Sequence, residues 1–172
     1  MSLSDPEEYL TALAQLRDGA RQRAFISNGQ VPPSQPLIEA LCLKIRNLLP
    51  SDLALAETLA ESNVYLASLL NTSVATAFAT RARADVLYTM RKCGDARPLY
   101  DQAAELFANA GLDAEVGRTL VAQIDNLNYL SLYDEAILLG ERARNALERV
   151  NDVKFLTTLE IALGNVFYRL DR

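Results

Sequence analysis

The amino-acid sequence predicts an all-α protein made of stacked, antiparallel helix pairs, an α-solenoid. Apolar residues step by three and four along most of the chain, which places them on one face of a helix. The pattern also returns every 40 residues, and helix-breaking residues close the units at the same interval, at Asn71, Gly111 and Asn151. Strands are not expected anywhere.

The 40-residue period appears in both halves of each unit. The matched columns are Ala56, Ala96 and Ala136, then Leu59, Leu99 and Leu139, then Glu61, Asp101 and Glu141 in one half, and Leu87, Leu127 and Phe167 in the other. One shift that aligns both halves indicates stacked repeats rather than a generic helical bundle. The alanine column and Gly140 would let neighbouring helices approach closely. The predicted units are 37–76, 77–116, 117–156 and a partial unit 157–172.

Each unit is predicted to hold two helices joined by short, antiparallel connections. The first helix covers residues 77–91 and, one period later, 117–131. The second helix begins after an N-cap at Asp95 or Asp134, with Pro98 in its first turn, where a missing N–H costs nothing.

An extra N-terminal helix precedes the repeats. Residues 1–36 are predicted to be a capping helix over 5–28, with Ser4 or Asp5 as its N-cap, followed by a proline-rich connection. A terminal cap with a polar outer face keeps the end of a solenoid soluble.

Composition narrows the functional classes. The 172 residues carry a net charge of -5, and the pI is near 4.8. This excess of acidic residues argues against binding to nucleic acids or to acidic membrane surfaces. The chain contains no histidine, which removes Ser-His-Asp and Cys-His catalysis and HExxH zinc sites. We therefore expect no enzymatic activity, no cofactor and no metal.

The N-terminus and the cysteines predict a cytoplasmic protein. The opening residues MSLSDPEEY have neither a basic start nor the apolar core of a signal peptide. Cys42 and Cys93 lie 51 positions apart without a metal-ligand spacing, so buried, reduced thiols are expected rather than a disulfide.

Two segments resemble the tetratricopeptide (TPR) repeat family. Residues 133–147 resemble the second helix of such a repeat, and residues 162–170 resemble the first helix. The matching positions are Tyr133, Ala136, Gly140, Ala143, Leu163, Gly164 and Phe167. The 40-residue period and residues 96–107 look more like the arrays of large bacterial signalling proteins, some of which carry a CHAT-type caspase-like peptidase. The resemblance covers residues 37–172 and implies a right-handed superhelix.

The resemblance also implies a binding face, because the first helix of each pair lines the concave surface in that family. Polar and aromatic residues spaced three and four apart on three successive first helices would form a ladder across it. The candidate groove residues are Arg81, Asp85, Tyr88, Arg118, Asp125, Asn128, Tyr129, Asn165, Tyr168 and Arg169, with Val121 and Ile161 in the same rows. The alternative is that these are ordinary solvated helix positions. We expect Glu61, Asp101 and Glu141 to form a solvated face.

These features predict a non-enzymatic scaffold that binds a protein or peptide in a concave groove. The alternative is an N-terminal regulatory or sensor module of a larger enzyme, such as a CHAT-type peptidase. The next second helix would fall at about 173–190, so we expect a fragment of a longer protein. The apolar residues of its last helix should then face water, and the chain should either fray beyond Thr157 or form a homodimer through its C-terminal end. Those apolar residues are Leu159, Leu163, Val166, Phe167 and Leu170.

Overall fold

The computed structural model describes residues 6–29 and 31–171, and all regular secondary structure in these ranges is α-helical. The helices are α1 (Pro6–Gln15), α2 (Gly19–Ser27), α3 (Gln35–Leu48), α4 (Leu53–Leu70), α5 (Ser73–Thr89), α6 (Cys93–Asn109), α7 (Asp113–Tyr129), α8 (Tyr133–Arg149) and α9 (Val153–Leu170). From α3 onward each helix packs against the next. The predicted all-α class is confirmed. Within these ranges no helix has the length and apolar character that a membrane crossing requires.

The turns between helices repeat every 20 residues. A residue with left-handed backbone geometry stands at each turn: Asn71, Arg91, Gly111, Ser131 and Asn151. At four of them the following N–H bonds to the carbonyl five residues back, as in Lys92 N to Leu87 O at 2.9 Å. This is the Schellman arrangement that ends helices. Arg91 and Ser131 escaped the sequence prediction because neither is the glycine or asparagine that usually adopts this conformation.

The helices begin earlier than the sequence predicts. α5 and α7 start at Ser73 and Asp113, four residues before the predicted unit boundaries at 77 and 117. α6 starts at Cys93, so Asp95 lies in its first turn instead of capping it, and Pro98 lies in the second turn. Asp134 is likewise inside the first turn of α8. The predicted side-chain caps are wrong because the preceding turn already satisfies the chain reversal.

The single N-terminal helix predicted over 5–28 is wrong, since the chain breaks into α1 and α2. Asp18 caps α2 by accepting a hydrogen bond from the Arg21 N–H at 2.9 Å. The buried Gln22 donates to the carbonyls of Leu13 and Leu16 at the end of α1, and Ser62 donates to Gln22 Oε1 at 2.6 Å. These bonds replace the helical bonds lost at the break. The predicted caps at residues 4 and 5 lie outside the described residues.

The last helix is better covered than the sequence predicts. α9 is helical through Leu170 and packs against both α7 and α8. Leu159, Leu163 and Val166 are therefore buried, which corrects the expectation that they face water, while Phe167 and Leu170 are about half exposed. Gly140 permits this packing, because a Cβ there would lie 2.7 Å from Leu163 Cδ2.

The first helices of the pairs form one continuous face. α3 contacts α5, α5 contacts α7, and α7 contacts α9, in addition to the contacts within each pair. The second helices α4, α6 and α8 make no comparably close approach to one another in the described chain. The alanine column Ala56, Ala96 and Ala136 is fully buried, as its small size requires. Cys42 and Cys93 are free and buried, in line with the prediction for both thiols.

Candidate functional site in the groove of the first helices

A groove follows the face of the first helices and contains two adjoining cavities. The central cavity, about 340 Å³, lies between α3, α5, α7 and the start of α9. The outer cavity, about 390 Å³, lies between the ends of α5, α7 and α9. Tyr88 and Asp125 line both, so they stand at the junction.

The structure brings all ten predicted groove residues onto the walls of these two cavities. Arg81, Asp85 and Arg118 line the central cavity alone, Tyr88 and Asp125 line both cavities, and Asn128, Tyr129, Asn165, Tyr168 and Arg169 line the outer cavity. Val121 also lines the central cavity, whereas Ile161 lies on neither wall and is exposed. Spacing on three separate helices therefore located one contiguous surface.

Arg81 is not available to grip a partner's carboxylate, contrary to the sequence prediction. It is 6% exposed, and its Nη1 donates to Glu115 Oε2 at 2.6 Å. The guanidinium lies over the rings of Phe78 and Phe107, at 5.2 and 5.0 Å from their centroids. Its charge and its faces are thus occupied within the chain.

Arg118 is committed in the same way. Its Nε and Nη2 donate to Asp152 Oδ2 at 3.1 and 2.8 Å, and its Nη1 donates to Glu115 Oε1 at 2.7 Å. Glu115 therefore bridges Arg81 and Arg118. The hydrogen bond from Arg118 lowers the pKa of Asp152 below its usual range. We call these four residues, Arg81, Glu115, Arg118 and Asp152, the ion-pair network. It is charge-balanced, and it joins α5, α7 and the N-terminus of α9.

Asp85 has a neutral partner from the second helix of its own pair. The Tyr100 hydroxyl donates to Asp85 Oδ1 at 2.8 Å. Burial raises the pKa of the Asp85 carboxyl, and the positive charges of Arg81 and Arg46 oppose that shift. Sequence reasoning missed Tyr100, although its column holds the small residues Ala60 and Gly140 one period away. A large aromatic residue in a column of small ones was the available signal.

Asp125, in contrast, has no hydrogen-bond donor and no ion-pair partner among the residues that the structure describes. It is partly buried, and this burial raises the pKa of its carboxyl. One turn further along α7, Asn128 is 8% exposed, and its Oδ1 also lacks a hydrogen-bond partner. Two neighbouring acceptors at the cavity walls are therefore unused.

The outer cavity is more open and carries aromatic rings. Tyr129 is 47% exposed and Tyr168 is 61% exposed. Arg91 lies 5.2 Å from the centroid of the Tyr129 ring and lines the same cavity, as does Arg169. Sequence reasoning missed Arg91 because it belongs to the turn after α5 rather than to a helix face.

The chemistry of this groove is that of recognition by charges, amides and aromatic rings. Within residues 6–29 and 31–171 no group of three His, Cys, Asp or Glu side chains could hold a metal ion. Comparison with protein-family models, curated proteins and solved structures gave no match for this chain. The evidence for function is therefore the geometry of the groove.

Proposed function

We propose that this chain is a helical-repeat scaffold that binds an extended peptide segment of a partner protein in the groove of the first helices. The observation that carries the proposal is the convergence of groove residues from α5, α7 and α9 on two adjoining cavities. A groove that spans several helices suits an extended chain better than a compact metabolite.

The side chains at the outer cavity fit this role. Tyrosine rings offer large, rigid contact area at a small entropic cost. Tyr129 and Tyr168 are exposed beside the amides of Asn128 and Asn165, and amides can bond to both the N–H and the C=O of a peptide backbone. Such a surface would combine backbone capture with aromatic contact.

The finer architecture belongs to the same proposal. We infer a right-handed superhelix of the TPR type, with the first helices on its concave side. Two features support this: helix starts that recur at 40 residues, and first helices that approach one another while the second helices do not. An experimental structure with the opposite hand would contradict it.

The function is tested by selecting peptides from a random displayed library on the purified full chain. We expect enrichment of peptides whose binding weakens by about tenfold or more in a Tyr129→Ala, Tyr168→Ala double variant. The matched control is Leu138→Ala, since Leu138 is an equally exposed apolar residue of α8 outside the two cavities.

Two results would contradict the proposal. The first is a library that yields no enriched sequence on the folded chain. The second is a set of peptides that binds the double variant as tightly as the unchanged chain, because the contact surface would then lie elsewhere.

A further inference from the structure

We propose that Asp125 binds the side chain of an arginine or lysine of the peptide, inserted into the central cavity. This inference rests on the proposed peptide-binding function and specifies the chemistry of the partner. It assigns to one side chain of the ligand a defined position at the junction of the two cavities.

The first argument is an account of the carboxylates along the groove. Glu115 and Asp152 are satisfied by arginines within the ion-pair network. Asp85 accepts the hydrogen bond from Tyr100. Asp125 has no such donor in the part of the chain that the structure describes. The missing donor is therefore expected to come from a bound molecule.

The second argument concerns the cost of that arrangement. A partly buried carboxylate without a partner loses hydration and gains nothing in return. The raised pKa of the Asp125 carboxyl reflects this loss. A residue that is unfavourable in the free protein is often one that a ligand completes.

The third argument is independent of charge. Asn128 is more than nine-tenths buried and lies one turn from Asp125, and its Oδ1 has no hydrogen-bond partner. The other buried amides of α7 each donate at least once, Gln123 to Asp101 and Asn126 to the Cys93 carbonyl. The acceptors of Asp125 and Asn128 together suit a ligand group with several N–H donors, which a guanidinium provides.

The position of the other charges selects the central cavity for the cation. The outer cavity carries Arg91 and Arg169, which would repel it. In the central cavity Arg81 and Arg118 are neutralised by Glu115 and Asp152, and Arg46 is the remaining cation, an exposed residue of α3. The apolar residues Leu49, Val121 and Ala122 line the same cavity. They can pack against the aliphatic part of an arginine or lysine side chain.

The test uses two small probes that differ in charge but hardly in shape. Nα-acetyl-L-arginine amide and Nα-acetyl-L-citrulline amide are titrated into the isotopically labelled full chain, and backbone amide shifts are followed by NMR. We expect saturable shifts around Val121 and Asp125 with the arginine probe and none with the citrulline probe. Asp125→Asn should weaken binding of the arginine probe by about tenfold. The control Glu141→Gln, on the exposed face of α8, should leave it unchanged.

The inference is overturned if the two probes shift the same amides equally, if neither produces a localised shift, or if Asp125→Asn binds the arginine probe as well as the unchanged chain does. The library selection separates this inference from the proposed function. Enriched peptides that lack a basic residue would leave the function standing and overturn the inference. An arginine probe that binds at Asp125 while no peptide is enriched would do the reverse.

Discussion

The ion-pair network and the junction at Asp125 belong to the same groove and to the same predicted ladder, yet they differ in one respect. At the network, every charged group has a partner within the chain, and two arginines are also packed against aromatic rings. At the junction, Asp125 and the Oδ1 of Asn128 have none among the described residues. The comparison teaches that position on a face does not separate a structural side chain from a binding one. The count of satisfied partners does.

The largest expected effect is at the network. Arg81→Ala should lower the free energy of unfolding by about 3 kcal/mol, because it removes a buried charge from Glu115 and empties the space between Phe78 and Phe107. Urea unfolding measures this. The matched variant Arg91→Ala removes an exposed arginine from the Tyr129 ring and should cost about 0.5 to 1 kcal/mol. Equal losses for both would abolish the distinction between the two regions.

A smaller effect is expected for Arg118→Ala, at about 1 kcal/mol near neutral pH, because this arginine is partly exposed. The folded pKa of Asp152 lies below its unfolded value, so the pair stabilises above about pH 4 and loses its contribution as the pH falls through the folded pKa. The gap in stability between the unchanged chain and Arg118→Ala should therefore narrow in acid. A gap that stays constant from pH 7 to pH 3 would contradict the assigned pair.

Asp125→Asn should behave in the opposite sense to Asp152→Asn. Because burial raises the folded pKa of Asp125, ionisation of this group costs stability above that pKa, and the cost vanishes below the unfolded value of about 4. The asparagine should therefore raise the melting temperature slightly at pH 7 and have no effect near pH 4. Asp152→Asn should lower it at pH 7. Thermal unfolding of both variants at the two pH values checks the pair of signs.

The smallest effect is expected away from the groove. Glu141→Gln, on the exposed face of α8, should change the free energy of unfolding by less than about 0.5 kcal/mol. A larger loss would mean that the second-helix face also carries structural charge interactions, and the contrast between the two ends of the groove would lose its reference.

The sequence by itself determined the helices, their turns and their period. These depend on interactions a few residues apart: apolar spacing within a helix, and a residue such as Gly111 or Asn151 that tolerates left-handed geometry after it. The same local rules placed the ten groove residues on corresponding faces of α5, α7 and α9. Even the break between α1 and α2 has a local cause in Asp18, which the longer apolar pattern concealed.

Only the tertiary structure decided what each groove residue can do. Arg81 meets Glu115 across 34 positions of the chain, and Tyr100 reaches Asp85 from another helix, so neither pairing has a local pattern to reveal it. The covering of α9 by α7 and α8 was equally hidden, since it depends on the space that Gly140 leaves for Leu163. Local spacing sets the face on which a side chain lies. Whether its charge is already satisfied depends on distant residues, because burial and hydrogen-bond partners arise only when the helices pack.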